Sequence, residues 1–170
     1  MICKKKGRGF CGRTDCDITK NGGIITAKLA GIEPFISGFT AIYVSPLKRT
    51  AQTLKAIYPH CSYIVDERLI EISLGSWEGL EKTSVNQSER KAFLKGLYTP
   101  PDAEENHQDV VNRIMSFFKE LDGTYNELDT ILLVTHNGVI RTIKQLLKMD
   151  EVKTKNSEFI VIDSKDLINL

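Results

Sequence analysis

Thr130-Ile131-Leu132-Leu133-Val134-Thr135-His136-Asn137-Gly138 is the stretch on which the fold turns. Its first six residues are apolar or β-branched throughout, which predicts a central strand of a parallel sheet covered on both faces. After His136-Asn137-Gly138, the apolar residues Val139, Ile140, Ile143, Leu146 and Leu147 recur at helical spacing. Strand, turn and helix in that order put His136 just beyond a strand's carboxyl end, where open α/β sheets bind ligands.

The same alternation extends upstream. Residues 40–45 form a short β-rich run, and Pro46 suits the first turn of a helix over 47–57. A second strand is expected over 62–65. The segment 66–80 has no clear period and reads as a loop with Gly75, Trp77 and Gly79, Trp77 serving as its packing anchor. Helices are expected over 84–95 and, beyond Pro100-Pro101, over 106–121, where Val110, Val111, Ile114, Phe117, Phe118 and Leu121 share a face. Near the amino end, Thr19 reads as an N-cap for an amphipathic helix carrying Ile24, Ile25, Ala27, Leu29 and Ile32, closed by Pro34. A last strand is expected over 158–162. Alternating strands and helices predict one α/β domain over residues 1–170, three layers α/β/α around a mostly parallel sheet.

The bulk composition excludes several classes. With 170 residues, 41% hydrophobic, 26% charged and a net charge of +1, the chain has the balance of a globular domain. Neither a nucleic acid nor a membrane is expected as a partner. No apolar run approaches the roughly 20 residues of a membrane span. Lys4-Lys5-Lys6 is followed by no apolar region, so the amino end does not read as a secretion signal. Cys3, Cys11, Cys16 and Cys61 form no C-x-x-C pair, so a metal site is not expected, and the cysteines read as free thiols in a reducing cytoplasm.

Three residues fall where an open sheet would gather chemistry. His136 follows the best strand, Arg49 lies in the first helical turn after 40–45, and Glu71 lies in the loop after 62–65. Cations can neutralise the oxygens of a transferring phosphoryl group while an acid protonates the leaving oxygen. Each residue alone reads as structural or solvated; the chemistry rests on their joint placement.

Four ordered motifs sharpen this: Gly12-Arg13-Thr14-Asp15-Cys16-Asp17-Ile18-Thr19 with Gly22, Ser45-Pro46-Leu47-Lys48-Arg49-Thr50-Ala51-Gln52-Thr53, Leu69-Ile70-Glu71-Ile72-Ser73-Leu74-Gly75-Ser76-Trp77-Glu78-Gly79, and Val134-Thr135-His136-Asn137-Gly138-Val139-Ile140-Arg141. Together they resemble the histidine phosphatase superfamily, with its phosphoglycerate-mutase-like fold. A weaker echo is Glu105-Asn106 with Asp109-Val110 and Arg113. The resemblance implies that His136 hydrogen-bonds the phosphoryl group, Arg49 clamps it and Glu71 is the proton donor. It places Arg8, Cys11, Gly12, Asn137 and Gly138 around the phosphate or substrate, with no metal or other cofactor. The implied partner is a small phosphorylated substrate or inorganic phosphate. Self-association as a homodimer stays open.

The family's nucleophile, the histidine of an Arg-His-Gly motif ending the first strand, has no counterpart here, and the first strand is missing with it. Aligned without gaps from Gly12, Met1 falls directly after that motif. One expectation is therefore that the native product extends upstream through a strand and an Arg-His-Gly. Gly9 stands where the family has an arginine, with Arg8 one place off, and Ile2 and Lys5 also depart from its pattern; a decayed site would explain these. The expected function is a metal-independent phosphatase acting through a phosphohistidine. The alternatives are a pseudophosphatase that binds a phosphorylated ligand, or a phosphoglycerate-mutase-type phosphotransferase. The short stretch from Glu71 to His136 favours phosphatase over mutase, and the motif forms look most like the α-ribazole phosphatase branch.

Overall fold

The computed structural model describes residues 9–32, 34–35, 38–149, 159–163 and 165–166. Three strands, β1 (Ala41–Val44), β2 (Ile64–Val65) and β3 (Ile131–Val134), make one parallel sheet in the order β2-β1-β3. Side chains alternate across a strand, so each face gathers its own set. On one face Ala41, Tyr43, Ile131 and Leu133 pack against Val110, Ile114, Phe117 and Phe118 of α4 (His107–Thr124) and Val139 and Ile143 of α5 (Asn137–Leu146). On the other, Ile42, Val44, Leu132 and Val134 meet Ala51 and Leu54 of α2 (Lys48–Ile57), on which α1 (Lys20–Ala27) packs. Fully burying a side chain such as Leu54 or Phe117 contributes about 1.5–3 kcal/mol. The result is the expected three-layer α/β/α arrangement. No strand precedes β1 among the described residues, and β3 has no strand partner on its outer edge there.

The register positions the site. Val44 lies opposite Val134, and the ladder continues as Ser45 N–H donates to the Val134 carbonyl at 3.0 Å. The carboxyl ends of β1 and β3 are therefore level, and whatever follows each strand emerges side by side. The loop after β2 joins them, because the Thr135 hydroxyl donates to the Leu69 carbonyl at 2.7 Å. Its continuation is anchored by Trp77, which stacks on Tyr98 and packs against Phe10 and Phe93, as expected for a packing anchor. A short helix, α3 (Gln87–Leu94), follows; Asn86 caps it.

Three expectations are corrected. The first helix is not amphipathic in the expected sense: Ile24, Ile25 and Ile32 are exposed, and Gly22 and Thr26 are its buried positions. A small face that packs closely on α2 decides its orientation, with the Thr26 hydroxyl turned back to the Gly22 carbonyl. Residues 159–162 form no strand. Phe159 turns edge-on to Phe35 while Ile162 reaches the core on the α4–α5 side, so side chains rather than a ladder hold this segment. Residue 158 lies outside the described residues. Lastly, Cys16 is disulfide-bonded, whereas Cys11 and Cys61 are thiols. Spacing along the chain carries no information about such proximity in space.

Candidate functional site

His136 closes β3 and is the N-cap of α5, in extended conformation (φ −120°, ψ 163°). It is 3% exposed. Beside it, Arg49 is the second residue of α2 and 4% exposed. The Arg49 Nε–H donates to His136 Nδ1 at 3.3 Å, so the ring proton sits on Nε2, which donates to Ser45 Oγ at 2.7 Å. Burial, reinforced by the neighbouring Arg49 charge, holds the imidazole pKa well below its ordinary value. His136 is thus a neutral, oriented ring at pH 7.

Arg49 spends two more donors on backbone. Its guanidinium donates to the Gly12 carbonyl at 2.7 Å and the Thr14 carbonyl at 2.8 Å. A guanidinium has five N–H groups, so two remain for a ligand. Burial lowers the Arg49 pKa from its ordinary value while Glu71 opposes that shift, and an arginine remains charged throughout. The loop that Arg49 binds is fixed from both sides. Asp15 accepts from Lys48 N–H at 2.9 Å, standing in for the cap that Leu47 cannot supply, and Gln52 bridges Asp17 and Ile18 N–H. Glu78 accepts from Arg13 N–H at 2.7 Å, and from the Thr14 N–H and hydroxyl at 2.9 and 2.7 Å. Gly12 has φ +48°, and a Cβ there would lie 2.1 Å from Glu78 Oε1, so glycine is required on both counts.

Glu71 reaches the same end of the sheet from the loop after β2. One carboxyl oxygen accepts from Ile72 N–H at 2.9 Å and the other from Gly138 N–H at 3.5 Å, a long contact at the first turn of α5. Burial raises the Glu71 pKa; the Ile72 N–H, Arg49, Arg141 and the Gly138 N–H oppose it without cancelling it. The carboxyl therefore keeps its proton to higher pH than an exposed glutamate. Gly138 makes the approach feasible, since a Cβ there would be 2.4 Å from Glu71 Oε1. Behind Glu71, Arg13 donates to its backbone carbonyl at 3.0 Å and pairs with Glu105 at 2.8 Å, and Glu105 in turn holds Arg113.

Of the residues singled out in the sequence, His136, Arg49, Glu71, Gly12 and Gly138 converge. Cys11 lies within electrostatic reach of Arg49, and Asn137 is the exposed first residue of α5. Arg8 lies outside the described residues. Sequence reasoning assigned no role to Ser45, Arg13, Glu78 or the Glu105–Arg113 pair. Glu78 had a signal in Gly75-Ser76-Trp77-Glu78-Gly79, where a glutamate sits between turn-forming residues. Among the described residues, no group of three or more His, Cys, Asp and Glu could hold a metal ion, and no helix is long and apolar enough to cross a membrane.

The arrangement gathers a buried guanidinium, a neutral imidazole, a helix amino terminus and a carboxyl whose pKa burial raises at one sheet edge. The sequence profile of the histidine phosphatase superfamily (branch 1) matches residues 3–159. The chain is 30% identical over 144 residues to putative phosphoserine phosphatase 2 of Hydrogenobacter thermophilus, covering 81% of this chain and 70% of that protein. It is 29% identical over 140 residues to phosphoserine phosphatase 1 of the same organism, covering 79% and 65%. A solved structure described as phosphoglycerate mutase from Thermus thermophilus superposes with a TM-score of 0.69 at 25% identity, covering 84% of this chain and 77% of that one. Mycobacterial glucosyl-3-phosphoglycerate phosphatase gives a TM-score of 0.71 at 23% identity over 89% of this chain and 77% of that one, a likeness of fold.

Proposed function

The chain belongs to the histidine phosphatase superfamily (branch 1), and from that footing we propose that its His136 site hydrolyses a small phosphate monoester through a phosphohistidine. The observation that carries the reading is the convergence of buried Arg49, neutral His136 and a Glu71 whose pKa burial raises. The two uncommitted N–H groups of Arg49 and the amino end of α5 hold the phosphoryl oxygens. An imidazole nitrogen attacks phosphorus, the bond to the ester oxygen breaks, and Glu71 gives that oxygen its proton. Water then attacks phosphorus, passes a proton to Glu71 and releases phosphate as the N–P bond breaks. No metal takes part. The names of the Hydrogenobacter relatives, together with the short stretch from Glu71 to His136, support hydrolysis over phosphotransfer. An α-ribazole phosphate falls within the same substrate class.

The attacking histidine is not one this chain contains. Its three histidines are His60, His107 and His136; His60 follows α2 in an exposed turn and His107 opens α4. The proposal assigns the nucleophile to a segment upstream of Met1. The same observation favours a second reading, a phosphate-binding domain without turnover. p-Nitrophenyl phosphate separates them. This chain should bind phosphate without turnover, whereas a chain extended by the upstream in-frame codons should turn over and trap an acid-labile phosphoprotein. A stop codon directly upstream would leave the binding reading. Turnover by this chain that is lost on His136→Ala would overturn the upstream assignment.

A further inference from the structure

Both nitrogens of the His136 ring are committed within the chain. Nδ1 accepts the Arg49 Nε–H at 3.3 Å, and Nε2–H donates to Ser45 Oγ at 2.7 Å. A neutral imidazole has one donor and one acceptor, so this ring has no further hydrogen bond to give. The charged oxygens of a phosphate are acceptors, and Nε2–H is the one group of the ring they can use. Ser45 Oγ already holds it.

Ser45 owes that place to the register. It directly follows β1, its N–H extends the ladder to the Val134 carbonyl at 3.0 Å, and the Thr50 hydroxyl donates to its carbonyl at 2.7 Å. The backbone is thus pinned on both sides, while the side chain turns on χ1 alone. Besides the ring, Oγ meets the Leu47 N–H in a long contact of 3.4 Å. Giving up the ring therefore takes a change of rotamer and no movement of the sheet.

Ser45 is 2% exposed and His136 3%. An N–H so far from water is costly to leave without an acceptor, so the ring exchanges one acceptor for another. The serine hydroxyl is a neutral acceptor. A phosphoryl oxygen carries charge and makes a bond roughly twice as strong. A neutral ligand oxygen gains nothing over Ser45 at this nitrogen; an anionic one does.

We infer that the Ser45 hydroxyl is an internal stand-in for a phosphoryl oxygen, an autoinhibitory contact that phosphate displaces from His136 Nε2–H and that admits charged oxygens over neutral ones. This rests on the His136 site being a phosphate site. The test is calorimetric titration of the full chain and its variants with inorganic phosphate. Ser45→Ala leaves Nε2–H without its acceptor and should bind phosphate about threefold to tenfold tighter, the worth of one neutral hydrogen bond. Ser45→Cys keeps a side chain there but offers a weaker acceptor, and should fall between. A merely structural serine predicts the opposite sign, because a loosened ring binds phosphate less well. In a His136→Ala background the Ser45→Ala substitution should change nothing, since the contact acts through the ring. Unchanged or weaker binding in Ser45→Ala overturns the inference, and so does tightening that persists without His136. If Ser45→Ala does not fold, Ser45→Cys decides: binding no tighter than that of the wild type overturns it. Failure of both the wild type and Ser45→Ala to bind phosphate overturns the phosphate reading itself, and the stand-in with it.

Discussion

Arg49→Ala should destabilise the fold by about 3 kcal/mol and weaken phosphate binding at least about a hundredfold. The residue is 4% exposed and is, among the described residues, the sole donor to the Gly12 and Thr14 carbonyls, so its removal strands both beside an imidazole that also loses its partner. Loss of the clamp removes a fixed cation whose remaining N–H groups suit two phosphate oxygens. Arg49→Lys should rescue little, because an ammonium cannot serve Gly12, Thr14 and His136 from one plane. Urea denaturation and phosphate titration read the two effects separately. An exposed helical arginine would show neither.

Gly138→Ala should destabilise the protein although it improves helix propensity. On propensity alone, alanine within α5 would gain about 1 kcal/mol. Against that, its Cβ would stand 2.4 Å from Glu71 Oε1 and 2.9 Å from two Ile72 side-chain atoms. Ile72 is buried, so the carboxyl must leave its place against Gly138 N–H. Overpacking of this kind costs about 1–3 kcal/mol, so a net loss is expected. The displaced carboxyl should regain water, and its pKa, raised by burial in the wild type, should fall toward the ordinary range. Carbon-detected titration of Glu71 and a urea midpoint check both; a stabilised variant with an unshifted Glu71 would contradict the packing.

Much of this architecture is legible in the chain because parallel sheets impose level strand ends. Once 130–135 and 40–45 read as strands, His136 and Arg49 have to emerge together, and the observed pairing of Val44 with Val134 places them so. What periodicity does not give is who touches whom at long range. The three contacts of Glu78 to the Gly12 turn depend on the loop after Glu71 folding back across 64 or 65 positions. Ser45 as the acceptor for the His136 ring is equally a product of register. Ile24 and Ile25 mislead for the same reason: a helix's apolar residues mark a buried face only where a neighbour arrives to cover them, and α2 covers Gly22 and Thr26 instead. Along the chain Arg141 looks like an ordinary polar residue of an amphipathic helix; its place over the Phe93 ring and near Glu71 exists only in three dimensions.

The central claim is that His136 and Arg49 together form a phosphate site, and the most direct measurement follows the His136 imidazole nitrogens by NMR while inorganic phosphate is added to the full chain. The ring starts neutral, with its proton on Nε2 and Arg49 against Nδ1. Saturable shifts of both nitrogens, absent in Arg49→Ala, are the predicted result. A ring whose signals stay fixed at phosphate concentrations that saturate binding elsewhere, or that bring no binding at all, would contradict it.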